Sequence, residues 1–151
     1  MNATNIPLIQ KIAEHVRKQC LTFAMSKSSH NHDYHNHKDL SCMCAVASYT
    51  LLLALKKHNI PSKLIYGKVR RLEDLDTEFG DDHCWIKIKN LIVDITATQF
   101  KHLNATLISI KPSKSLPQYS QKKIIKSYKE IEWENQSPSP SITKHILSIK
   151  H

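Results

Sequence analysis

The stretch Leu40-Ser41-Cys42-Met43-Cys44-Ala45-Val46-Ala47-Ser48-Tyr49 leads from a polar approach into an apolar segment that continues to Leu55 without proline or glycine. Such a segment is long enough for a buried helix, and its residues are good helix formers. Cys44 then stands at the helix N-terminus, where unsatisfied N–H groups and the helix dipole concentrate partial positive charge. That environment favours the thiolate, which is the reactive form of cysteine. Cys44 is therefore a candidate nucleophile. Cysteine is also among the most buried residue types, so on this stretch alone a core role fits as well.

Downstream, the helix is expected to run from about Cys44 to His58, because Asn59 tolerates the left-handed conformation and Pro61 blocks continuation. Upstream, Leu8, Ile12, Val16, Cys20 and Phe23 recur at intervals of four, four, four and three, which is one helix face, with Pro7 in its first turn. Cys20 lies on that face, and packing is its expected role. Between the two helices, Ser26 to Asp39 is a polar connection containing His30, His32, His35 and His37. With Cys42 and Cys44 close by, a zinc site is one reading of it. The His-x-His and Cys-x-Cys spacings match no common structural zinc pattern, and a solvated loop is the preferred one.

After the helix, Ser62 to Leu72 alternates as a strand, with a bulge expected at Gly67. Glu73 to Asp82 is an acidic loop. His83 to Ile95 reads as a hairpin about Lys89-Asn90, with asparagine taking the positive φ. Leu107 to Ile110 reads as a further strand, and Gln121 to Ile131 fits a helix or a strand. Gln136 to Pro140 is a Ser/Pro-rich break, and Ser139-Pro140 opens a short terminal helix with Ile142, Ile146 and Ile149 inward. The expected fold class is α+β, with the Cys44 helix packed on an antiparallel sheet. A single domain spans 1–151, with its core at about 40–110.

The hairpin supplies partners for the thiol. With Lys89-Asn90 as a two-residue loop, position 83 lies opposite 96 and position 85 opposite 94. His83 and Asp94 then become diagonal neighbours on one face, within ~7–8 Å at the backbone. A carboxylate at that distance can hold an imidazole by one ring nitrogen and leave the other to take a thiol proton. Cys84 points to the opposite face and is expected in the core. Trp85 is expected either to wall the site against water, if it shares a face with it, or to pack in the core, which is the preferred reading.

Composition narrows the class. The 151 residues are 40% hydrophobic with a formal charge of +9, and the strongly apolar runs fall far short of the ~20 residues a bilayer span needs. The first residues, Met1 to Pro7, carry neither the basic nor the apolar region of a secretory signal, so none is expected, though export routes that need no such signal stay open. Four cysteines, two of them one residue apart, do not make a disulfide framework, so a reducing compartment is expected. The lysines are scattered, with no basic strand interleaved with aromatics, so neither nucleic acid nor membrane is expected as a partner. Six of the thirteen acids fall in Glu73, Asp74, Asp76, Glu78, Asp81 and Asp82, which lead directly into His83. Charge of one sign beside a cleft draws oppositely charged ligands. A cationic or Lys/Arg-rich ligand segment is one expectation for this loop, and a merely solvated connection the other.

Cys44-Ala45-Val46-Ala47-Ser48, the helix it opens, and Asn59-Ile60-Pro61 leading into a strand together resemble the core of the transglutaminase-like superfamily. His83-Cys84-Trp85-Ile86-Lys87 resembles its His-x-Trp motif, Val93-Asp94-Ile95-Thr96 its Asp-Pro-Thr motif, and Gln99-Phe100 the pair that often follows in small bacterial members. The match covers roughly residues 40 to 100. Asn59 replaces the usual glycine, Ile95 the proline, and Lys87 stands where many members carry glutamate. The resemblance implies a papain-like fold and a catalytic triad of Cys44, His83 and Asp94, with Cys44 rather than Cys42 as nucleophile. It implies acyl transfer from glutamine side-chain or peptide amides through a thioester, without cofactor or metal, on a protein or peptide substrate. Transglutaminase or deamidase chemistry is the leading expectation. A cysteine peptidase of the same fold and a non-catalytic binding module are the alternatives. The compartment is expected to be the cytoplasm, or a reducing host cytosol after delivery. Intact-mass measurement with a thioester-forming probe should show one adduct in the wild type and in Cys42→Ala, and none in Cys44→Ala. An adduct retained in Cys44→Ala would remove Cys44 as the nucleophile.

Overall fold

The structure, a computed structural model, describes residues 5–26, 40, 43–100, 103, 108–130 and 140–150. The expected His30–His37 loop, Cys42, Leu107, Ile131 and Gln136 to Ser139 lie outside these residues. Helix α1 is Ile6–Ala24, α2 is Cys44–Lys57 and α3 is Pro140–Ser148. The strands are β1 (Lys63–Val69), β2 (Asp81–Ile88), β3 (Leu91–Asp94), β4 (Ser109–Pro112) and β5 (Tyr119–Ile125). They form one five-stranded sheet in the order β4-β3-β2-β1-β5, every pair antiparallel. The fold is α+β. Among the described residues no helix is long and apolar enough to cross a membrane.

Helix α1 starts where expected. The Asn5 side chain accepts from the Leu8 N–H at 3.1 Å, and Pro7 occupies the first turn. Ile12, Val16, Cys20 and Phe23 are buried and Leu8 is half-buried. Cys20 packs as expected, and burial pushes its thiol up to about 12. Helix α2 is buried along nearly its whole length, because it contacts α1, α3, β1 and β2. A helix surrounded in this way is apolar on all sides rather than amphipathic. Lys56 and Lys57 in its last turn offset the negative end of the dipole. The chain then leaves through Asn59, at φ 56°.

The sheet has two different faces. Leu64, Cys84, Ile86 and Val93 join the large core beneath the helices, whereas Ile65, Trp85 and Ile92 form a smaller cluster with Leu116 and Tyr119 against them. The hairpin register is the expected one, with Ile86 opposite Val93 and Ile88 opposite Leu91. Lys89, not Asn90, takes the positive φ, at 51°. The Asn90 carbonyl instead accepts from the Ser113 N–H at 2.7 Å, which ties its peptide to the connection after β4.

Several strand limits differ from the sequence reading. Strand β1 ends at Val69 rather than Leu72, and Leu72–Asp74 is a single 3-10 turn. Leu72 is 62% exposed, so it has no apolar surface that would keep it in the sheet. The fourth strand lies at 109–112, two residues later than its hydrophobic run suggested. Residues 119–125 are strand, the second of the two alternatives for that region, and a 3-10 turn follows at Tyr128–Glu130. In the acidic loop, Glu78 lies 3.7 Å from both Arg70 and Lys122, while Asp81 and Asp82 belong to β2 itself.

Gly67 is the point of closest approach in the sheet. The β1–β5 register shifts between Tyr66 and Gly67, as a bulge requires. A Cβ at Gly67 would collide with the Ser120 carbonyl oxygen and lie 2.6 Å from Trp85 Cη2. Gly67→Ala should therefore cost about 1–3 kcal/mol of stability by forcing β5 and the indole apart. A lower denaturant midpoint at unchanged slope would show it, and an unchanged midpoint would contradict the packing described.

Candidate active site

The three residues singled out in the sequence come from three elements. Cys44 is the first residue of α2, His83 lies in β2, and Asp94 ends β3. Strand β2 is paired with β1 throughout, but its pairing with β3 is confined to Ile86–Ile88. At Asp94 the strand is paired on its other edge, with Ser109 of β4. His83 Nε2 and Asp94 Oδ2 are 2.7 Å apart, and both side chains are 0% exposed. The diagonal contact expected from the two-residue turn is present.

Asp94 is held from four directions. Its Oδ1 accepts from the Thr96 N–H at 2.9 Å and from the Thr96 hydroxyl at 3.1 Å. Its Oδ2 accepts from Tyr119 at 2.6 Å as well as from His83. Two carboxylate oxygens offer about four acceptor positions, and all are used. Burial by itself would raise the Asp94 pKa, but His83 and these donors lower it below the ordinary range.

The imidazole shows the reverse balance. Burial opposes its charged form, yet the Asp94 charge and hydrogen bond, with a smaller effect of Cys44, raise its pKa to about 10. A ring in this environment carries a proton at neutral pH. Its other nitrogen, Nδ1, is buried without an aligned hydrogen bond among the described residues. Cys44 still acts on the ring through hydrogen bonding and charge. The thiol is thus a neighbour of the imidazole, with alignment of the loose kind common before substrate binds.

Cys44 is 3% exposed. Met43, ahead of it, provides no side-chain cap, and no acid lies in the first turn of α2 to offset the positive end of the dipole. Cys84 packs in the core as expected, but it also meets the nucleophile candidate. Hydrogen bonding to Cys44, then burial, pushes the Cys84 thiol up. The Ser48 hydroxyl, one helical turn beyond Cys44, donates to the Cys84 carbonyl at 3.1 Å and fixes α2 over β2.

Aromatic rings enclose the imidazole. Phe100 stands edge-on to it with centroids 4.6 Å apart, and Trp85 lies alongside at 6.2 Å. Trp85 therefore both packs in the second cluster and walls the imidazole, where the sequence favoured packing alone. Sequence reasoning missed Tyr119 and Arg17, and it quoted Thr96 in a motif without seeing its bonds to Asp94. Arg17 of α1 is buried and donates to the Ile95 carbonyl and, at 3.4 Å, to the Thr98 hydroxyl, which anchors the turn after Asp94. One signal for it was present, since Arg17 stands four residues after Ala13 on a buried helix stripe.

No family model, curated protein or solved structure matches the chain. The site therefore rests on its own geometry.

The shifted groups set the pH dependence of stability. His83 is raised from 6.5 to about 10, so its contribution is complete below about pH 6.5 and disappears as the pH rises through about 10. Asp94 is lowered from 3.8, so its contribution is present above that value and is lost on acidification below it. Asp94→Ala should destabilise the fold at neutral pH by about 3–5 kcal/mol, since it leaves a buried imidazolium without its partner. Its stability should also vary less between pH 6.5 and 10 than that of the wild type. Parallel pH profiles would contradict the ion pair.

Proposed function

We propose that this protein is a cysteine-nucleophile acyl-transfer enzyme of transglutaminase-like type, acting on glutamine side-chain or peptide amides of a protein or peptide substrate. The observation that carries the proposal is the buried His83–Asp94 pair, bonded through Nε2 at 2.7 Å, with Cys44 at a helix N-terminus beside the same ring. A papain-like arrangement of helix and antiparallel sheet accords with the α+β fold.

In this reading Cys44 works as a thiolate beside the His83 imidazolium. The sulfur attacks the amide carbonyl carbon, and the carbonyl electron pair moves onto oxygen. The α2 N-terminus faces that oxyanion with the positive end of its dipole. Collapse of the tetrahedral intermediate breaks the C–N bond, and His83 gives its proton to the departing nitrogen. Ammonia or an amine leaves, and the acyl group remains on Cys44 as a thioester. Water or a primary amine then attacks the thioester, His83 takes a proton from it, and the thiolate returns to the imidazolium. Asp94 keeps the ring oriented and its charge balanced throughout. The enclosing Phe100 and Trp85 exclude water from the ring, which strengthens each electrostatic step.

Ammonia release from a blocked glutamine peptide, with and without a primary amine, tests the reading. The wild type should release ammonia, and Cys44→Ala and His83→Ala should each lose activity by at least about a thousandfold. New peptide N-termini without ammonia would shift the assignment to a peptidase. Neither product, together with an unmodified Cys44, would dismiss the proposal.

A further inference from the structure

Tyr119 reaches the site from the far edge of the sheet. It begins β5, two strands from β2, and pairs with Val69 of β1. Its ring meets Trp85 edge-on at 5.0 Å, and its hydroxyl donates to Asp94 Oδ2 at 2.6 Å. That oxygen is the one that also accepts from His83. The phenol is half-buried, and its burial and then the Asp94 charge both oppose its ionisation, so it serves as a donor throughout the neutral range. The local backbone is arranged around this reach. The bulge at Tyr66–Gly67 and the absence of a Cβ at Gly67 allow the Ser120 backbone to close on β1 beside the Trp85 indole, with Tyr119 next in the chain.

We infer that Tyr119 is a positioning residue for the catalytic imidazole, one that shares Asp94 Oδ2 with His83 and so sets how tightly the carboxylate holds the ring proton. Two donors on one oxygen divide its charge. Each bond is weaker than it would be alone, and the carboxylate cannot rotate away from the ring. With the phenol in place, His83 stays oriented by Asp94 yet remains acidic enough to return its proton to the leaving nitrogen. Without it, Asp94 would turn its full charge on the imidazolium and hold the proton too firmly. The catalytic consequence rests on the proposed acyl transfer, whereas the sharing of Asp94 does not.

Proton NMR of the His83 Nε2–H at neutral pH tests the sharing directly. The resonance is assigned by its loss in Asp94→Ala and His83→Gln. In Tyr119→Phe, which keeps the ring against Trp85, it should move downfield as the His83–Asp94 bond tightens. Site-specific replacement of Tyr119 by a fluorinated tyrosine, a stronger donor of nearly the same shape, should move it upfield, and this arm decides the matter if the phenylalanine variant does not fold. With ammonia release as the assay, kcat of Tyr119→Phe should fall by roughly ten- to a hundredfold at unchanged KM. A resonance that stays in place in both variants would overturn the inference, whether or not the protein releases ammonia. Opposite shifts without ammonia release in any form would uphold the shared carboxylate and reject the acyl-transfer reading and the catalytic role together.

Discussion

The bond between His83 and Asp94 is the constraint on which the rest depends. A fully buried carboxylate is costly unless its charge is matched and its oxygens are satisfied. The protein meets both demands by bringing donors from separate elements to one point. His83 comes from β2, the Thr96 amide and hydroxyl from the turn after β3, and the Tyr119 hydroxyl from β5. A shift in any of these elements would leave a buried charge unsatisfied. The position of the pair is thereby tied to the integrity of the whole sheet.

The helical layer serves the same point from the other side. Helix α2 is buried by α1 and α3 above and by the sheet below, which fixes the place of its first residue, Cys44. Ser48 locks the helix onto the Cys84 carbonyl, and Arg17 ties α1 to the turn that carries Thr96. Buried polar contacts of this sort specify one arrangement of packed elements more narrowly than apolar packing does.

What was legible in the sequence was what local chemistry decides. The α2 limits followed from an uninterrupted apolar run and an asparagine that tolerates positive φ, and the hairpin register from a two-residue turn. Once that register was given, the meeting of His83 and Asp94 followed from strand geometry alone. Contacts made across the sheet were not legible. Nothing near Tyr119 in the sequence indicates that its hydroxyl meets a carboxylate twenty-five residues earlier, because strand order, not strand content, brings them together. The positive φ at Lys89 went unseen for a similar reason, since the peptide after it is tied to Ser113 from another part of the chain. The approach of Cys84 to Cys44 depends on how the helix lies on the sheet, which periodicity does not fix.

The central claim is that Cys44 and His83 share one proton as a thiolate–imidazolium pair. Ultraviolet absorbance of the thiolate at neutral pH, taken as the difference between the wild type and Cys44→Ser, measures it without substrate. The account predicts one thiolate per chain at pH 7, persisting well into the acid range and lost when His83 is replaced by glutamine. A thiolate that appears only in the ordinary thiol range near pH 8.5, and is indifferent to His83, would contradict it.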